Sequence, residues 1–114
     1  MVQIYHNPRC SKSRETLKLL QEKGIEPEII LYLETPPDVA TIKALLKKLG
    51  KSPKEAMRTK EAEFKEQGLN GADVTDEQLI EAMANTPKLI ERPIVVNGNK
   101  AAHGRPPEQV LEIL

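Results

Sequence analysis

VQIYHNPRCSKSRETLKLLQEKGIEPEIILYL, residues 2–33, carries two apolar runs separated by one helix-like segment, and its reading decides the fold. Val2 to Tyr5 is β-branched and aromatic enough for a strand, which Asn7-Pro8 then breaks. From Ser11 a helix is predicted to run to Gly24, where glycine supplies a left-handed stop; Leu17, Leu19 and Leu20 give it a thin apolar stripe. Glu28 to Leu33 is the next strand, and its nearly continuous apolar run predicts burial on both faces, as in parallel sheets. Strand, helix and strand in so short a span form a βαβ unit, for which a right-handed crossover is expected.

Beyond this unit the character changes to helical. Thr35-Pro36-Pro37-Asp38 offers a cap with proline at the first helical position, and Val39, Ile42, Leu45, Leu46 and Leu49 keep one apolar face up to Gly50. Ser52 to Glu55 and Thr75 to Gln78 both have capping-box spacing, the second opening a helix with Leu79, Ile80 and Met83 inward. Between them, residues 59–68 are highly charged, with Phe64 as the one anchor, and residues 69–72 read as loop. Strand character returns at Arg92 to Val96, with Pro93 at its start. Asn97-Gly98 predicts a two-residue hairpin turn into Lys100 to His103, and Pro106-Pro107 opens a last helix through Leu114. The expected architecture is α/β: one domain over residues 1–114, a small mixed β-sheet with flanking helices and a helical insertion at about 36–90, compatible with a thioredoxin-like fold.

Charge and composition exclude several partners. The 114 residues hold 17 Lys and Arg against 17 Asp and Glu, and this balance argues against nucleic acid or an anionic membrane. No apolar run approaches the length needed to cross a bilayer, so no membrane partner and a cytoplasmic location are expected. One cysteine and two histidines exclude a disulfide framework and predict no metal site.

That cysteine, Cys10, falls at or just before the first helical turn, where the N–H groups of Ser11, Lys12 and Ser13 lack intrahelical partners. These donors and the helix dipole favour a thiolate, as do the nearby cations Arg9, Lys12 and Arg14. The alternative for a free cysteine is a small inert hydrophobe. A C-x-x-C oxidoreductase would need a resolving thiol where Ser13 stands, and a phosphatase-like C-x5-R loop would need arginine where Thr16 stands. What remains is a monothiol enzyme or a glutathione-binding protein, which must draw any second thiol from another molecule.

Arg58, Arg92 and Arg105 each stand beside a structure-breaking segment, and the planar fork of arginine suits tetrahedral oxyanions. Any one of them taken alone would read as solvated surface charge. Arg92 gains direction from Pro93, which holds the preceding residue extended. His6 and Ser13 are candidate tuners of Cys10, the first through charge when protonated and the second through a hydroxyl hydrogen bond to sulfur. His103 is given no role.

The segments IYHNPRCSKSRETL, LYLETPP, LIERPIVV and HGRPPEQVLEIL, with the Arg58 region, together resemble the glutaredoxin-coupled arsenate reductase family from end to end. The resemblance implies a thioredoxin-like fold, a nucleophile at Cys10, an arginine triad at Arg58, Arg92 and Arg105, and a cis proline at Pro93. It also implies that His6 lowers the thiol pKa and that Ser13 stands beside it. By that resemblance no cofactor is bound, the substrate is arsenate or a similar oxyanion, glutathione is co-substrate and glutaredoxin the partner. Arg9 precedes the cysteine and Ser11-Lys12 follow it, where the well-characterised members of the family carry a small residue and Gly-Thr, and the sequence ends at Leu114 where longer members extend. Two other readings compete: a thioredoxin-fold regulator resembling those that bind RNA polymerase, and a monothiol protein acting on glutathione mixed disulfides.

Overall fold

The computed structural model describes residues 2–114. The chain divides into two compact units, one formed by the residues up to Thr35 together with Arg92–Leu114, the other by Pro36–Glu91.

The first unit is an α/β layer. Strand β1 (Val2–Tyr5) runs into α1 (Ser11–Glu22), which returns the chain to β2 (Glu28–Ile30), parallel to β1 with Ile4 opposite Ile29. Strands β3 (Ile94–Asn97) and β4 (Lys100–His103) form an antiparallel hairpin, and β3 pairs antiparallel with β1. The sheet order is β2-β1-β3-β4, the mixed thioredoxin-like arrangement expected of the sequence. Ile4 of β1, Leu20 of α1, Val95 of β3 and Val110 of the terminal 3-10 segment Pro107–Ile113 are each fully buried in one cluster. Alternation along β1 and the helical stripe therefore meet at one core. Asn97 ties the hairpin to the terminal segment by donating from its side-chain amide to the Ile113 carbonyl at 2.7 Å.

Several elements differ from their sequence expectation. The strand predicted for Glu28 to Leu33 stops at Ile30 and lies at the sheet edge, with Ile29 47% exposed. Past it the chain turns, and the Leu31 carbonyl accepts from both the Glu34 and Thr35 amides. The run is apolar because Tyr32 is buried under that turn, not because a central strand continues. The hairpin loop is Gly98-Asn99, one residue later than Asn97-Gly98, since Asn97 still pairs with Lys100. Gly98, at φ 62°, supplies the left-handed residue. The terminal helix is of the tighter 3-10 kind. Both Arg92-Pro93 and Arg105-Pro106 are cis.

The second unit is helical: α2 (Val39–Leu49), α3 (Ala62–Glu66) and α4 (Asp76–Asn85), with single 3-10 turns at Lys54–Ala56 and Pro87–Leu89. The cap of α2 is Asp38, whose carboxylate accepts from the Thr41 amide at 2.8 Å, so Pro36 and Pro37 lie before the cap and not inside the helix. Gly50 closes α2 at φ 67°. The Thr75–Gln78 capping box forms with both reciprocal bonds, and Ser52 and Glu55 exchange bonds in the same way across a single 3-10 turn. Phe64 is the buried anchor of the charged stretch. No helix among the described residues is long and apolar enough to cross a membrane.

Candidate active site

The loop from β1 to α1 is built around one hydroxyl. His6 leaves the sheet donating its amide to the Ile30 carbonyl at 2.8 Å. Asn7 then forms a side-chain turn: its Oδ1 accepts from the Arg9 amide and its carbonyl accepts from the Cys10 amide, each at 3.0 Å. The Asn7 amide donates to Ser13 Oγ at 3.0 Å, and His6 Nδ1 lies 2.6 Å from the same oxygen. Ser13 is fully buried in the first turn of α1, so its hydroxyl clamps both ends of the loop and leaves Cys10 as the helix N-cap. Arg14 adds an outer brace by donating to the Pro8 carbonyl at 2.9 Å.

Cys10 is 8% exposed, and burial, the largest influence on its thiol, pushes the pKa up. That influence is outweighed. The Ser13 amide, the hydrogen bond and charge of Arg92, and the Lys12 amide together bring the thiol below its ordinary value. The sulfur closes no formal capping bond, so these amides act as open, polarised donors at a helix start. The Arg105 guanidinium reaches the sulfur from Nη2 at 3.8 Å, while its Nε donates to the Arg92 carbonyl at 2.8 Å.

The hairpin explains why these two arginines meet. Ile94 pairs with His103, and continuing that register two residues outward sets Arg92 opposite Arg105 and Pro93 opposite Gly104, whose amide donates to the Pro93 carbonyl at 3.0 Å. The N-G turn signal, extended down both strands, is the sequence feature that could have paired them.

Two expectations change. Burial and then the charge of Arg14 lower the His6 pKa below the usual imidazole value, so the ring is neutral near pH 7 and does not supply positive charge to the thiolate. The Ser13 hydroxyl is committed to His6 and Asn7, so serine acts on the sulfur through its amide. Both residues position the loop. Asn7 was missed as a contributor, although Asn-Pro at a strand end is a side-chain turn signal. Gly104 was missed as well: a Cβ there would collide with Thr16 Oγ1 and lie 2.8 Å from Pro93 Cγ.

Arg58 lies in the helical unit. Its amide donates to the Leu89 carbonyl at 2.7 Å, next to the bridge between Met57 and Ile90, and its guanidinium is shared between Glu61 (3.0 Å) and Glu91 (3.4 Å). Lys88 joins the same group through Glu61 and Glu63.

Comparison with known proteins identifies the family. Residues 5–113 match the model of the ArsC family. An uncharacterised Escherichia coli protein, YfgD, is 62% identical over 99% of this chain and 96% of its own length. An arsenate reductase of Haemophilus influenzae is 52% identical over 97% of both chains. The solved structure of an arsenate reductase from Vibrio cholerae superposes with a TM-score of 0.97 at 57% identity, covering 99% of this chain and 97% of that one. The chain belongs to the ArsC family.

Proposed function

We propose that this ArsC-family chain is an arsenate reductase that draws its electrons from glutathione and glutaredoxin. The observation that carries the reading is a lone thiol of depressed pKa, with Arg92 and Arg105 at the sulfur and no second cysteine in the sequence. Such a site is made for a step in which an anion approaches a thiolate and an outside thiol finishes the reaction. Similarity to enzymes named arsenate reductase supports the choice of anion.

In the proposed sequence the Cys10 thiolate attacks arsenic and an arsenate oxygen leaves as water, taking up protons, so that a sulfur–arsenic bond replaces an oxygen–arsenic bond and arsenic stays pentavalent. Glutathione displaces a second oxygen in the same way. Glutaredoxin thiolate then attacks the glutathione sulfur; the glutathione–glutaredoxin disulfide forms, and the electron pair of the broken sulfur–arsenic bond stays on arsenic, now trivalent. Water displaces Cys10 and arsenite departs. Arg92 and Arg105 neutralise the oxyanion against the thiolate, and Ser13 with His6 holds the loop that presents it. Arg58 is proposed as a third oxyanion ligand on the family resemblance. A reaction consuming reduced glutathione belongs in a reducing compartment, which supports a cytoplasmic location.

The test is arsenate-dependent NADPH oxidation in a coupled assay with glutathione, glutaredoxin and glutathione reductase. Turnover is expected in the wild type and only the blank rate in Cys10→Ala. A blank rate in the wild type, with the thiol still alkylating faster than free cysteine at neutral pH, would discard arsenate as the substrate.

A further inference from the structure

Beside the cysteine loop, and within the sheet unit, lies a cavity of ≈ 370 Å³ whose walls come from residues 6–9 on one side and from the turn after β2 on the other. Its size is in the lower part of the range for small-molecule sites. Pro8, Leu31 and Leu33 make it chiefly apolar, and Leu33 stays 45% exposed over it. Two charges stand on its rim, Arg9 from the loop and Glu34 from the turn. Neither side chain has a hydrogen-bond or ion-pair partner among the described residues: the bonds of Arg9 and Glu34 are made by their backbone amides, to Asn7 Oδ1 and the Leu31 carbonyl. His6 also lines the cavity, with its Nδ1 taken up by Ser13.

An apolar concavity with one unpaired cation and one unpaired anion complements a peptide with a carboxylate at one end, an ammonium at the other and methylene groups between. We infer that this cavity is the glutathione subsite, with the glycine carboxylate on Arg9, the γ-glutamyl ammonium on Glu34, the glutamyl α-carboxylate turned to solvent, and the glutamyl methylenes against Pro8, Leu31 and Leu33. The inference rests on the proposal that glutathione completes the reaction at Cys10. The chain continues from Arg9 directly into Cys10, about 3.8 Å on from Cα to Cα, and an extended tripeptide spans only about 10 Å, so a glutathione anchored on Arg9 keeps its thiol in the neighbourhood of the nucleophile. The groove between α1 and Pro106-Pro107 is a poorer fit. It presents Glu15, Glu22 and Glu108 against Lys12 and Lys18, with Lys12 already paired to Glu15 at 3.6 Å, which disfavours an anionic tripeptide.

Binding is measured without chemistry, by calorimetry and amide chemical shifts with S-methylglutathione, which cannot react. Three ligands are compared on the wild type, Arg9→Ala and Glu34→Gln: S-methylglutathione, its glycyl ethyl ester and its N-acetyl derivative. The wild type should prefer the free acid over the ester by about tenfold, the scale of one charge-assisted contact. Arg9→Ala should bring that ratio to about one while keeping the preference against the N-acetyl ligand, and Glu34→Gln should do the reverse. Wild type that binds none of the ligands at millimolar concentration, or ratios unchanged in both variants, would overturn the subsite. Arsenate turnover with no binding at the cavity would leave the enzymatic reading standing without it. Collapsed ratios with no arsenate turnover would keep the subsite and remove arsenate.

Discussion

The arginines of the sheet unit and the arginine of the helical unit are held in opposite ways. Arg92 and Arg105 are turned on a sulfur: Arg92 lowers the thiol pKa by its hydrogen bond and charge, and Arg105 reaches the sulfur at 3.8 Å. Arg58 is already matched by two carboxylates, Glu61 and Glu91, each about a quarter exposed or less. A guanidinium turned on a thiol lies where an anion that meets the thiol would meet it as well. A guanidinium in a carboxylate pair must exchange partners before it can serve one. The first region therefore gathers its arginines about the thiol, whereas in the second Arg58 is held by its own carboxylates.

The largest effect that separates the regions is expected at Arg92. Arg92→Ala should raise the thiol pKa and lower kcat/KM for arsenate by about ten- to a hundredfold, the range for losing one charge-assisted donor at a developing charge. Arg105→Ala should weaken arsenate binding with a smaller effect on the thiol, since Arg92 is the guanidinium that depresses it. The pH dependence of iodoacetamide alkylation and thiolate absorbance report the pKa directly. The sign extends to folding. A thiol whose folded pKa is depressed contributes stability that is present above the unfolded thiol value and is lost as pH falls through the folded value. Denaturation midpoints of the wild type should therefore rise with pH across that window, and those of Cys10→Ser should not.

Gly104→Ala should follow in size. Gly104 is required for space: its φ is not left-handed, but any Cβ meets Thr16 of α1 and Pro93 of the facing strand end. Overpacking of this kind costs about 1–3 kcal/mol, and the displaced segment carries Arg105. A lowered melting temperature and a raised KM for arsenate are expected together. Thr16→Ala added to Gly104→Ala removes the closest colliding atom and should recover part of both losses; no coupling between the two substitutions would show that the segment is not wedged at this point.

Ser13→Ala tests the clamp on the loop. It leaves the buried Asn7 amide without its acceptor and His6 Nδ1 without its partner, at a cost of about 1–3 kcal/mol. Because serine reaches the sulfur through its amide, the thiol pKa should move less than in Arg92→Ala. A shift as large as that of Arg92→Ala would mean that the hydroxyl itself acts on the thiolate.

What could be read from the sequence follows the range of each signal. The cap at Cys10, the glycine stops at Gly24 and Gly50, the capping box at Thr75 and the hairpin are decided within a few residues, and local patterns report them. The cluster of Cys10 with Arg92 and Arg105 needed the hairpin register to be carried outward, which the turn signal permits but periodicity alone does not. Partners of side chains were the hardest part. The spacing of Cys10 and Ser13 on one helical turn points serine at sulfur, whereas the end of β1 brings His6 and the Asn7 amide to the same hydroxyl first. The edge placement of β2 was likewise hidden, because a run of apolar residues does not distinguish a central strand from an edge strand followed by a buried tyrosine.

The smallest effect is the sharpest test of the contrast between the regions. If Arg58 serves the oxyanion, Glu61 and Glu91 compete for it, and Glu91→Gln should loosen the guanidinium without removing it. Such partly exposed pairs are worth at most about 1 kcal/mol each, so the KM for arsenate should fall by about two- to fivefold, with a slight loss of thermal stability in exchange. The gain should shrink as salt rises, because added ions weaken the carboxylate pair in the wild type as well. Arg58→Ala should erase the difference between glutamate and glutamine at position 91. A KM that ignores both substitutions would assign Arg58 to the fold of the helical unit and leave the oxyanion to Arg92 and Arg105.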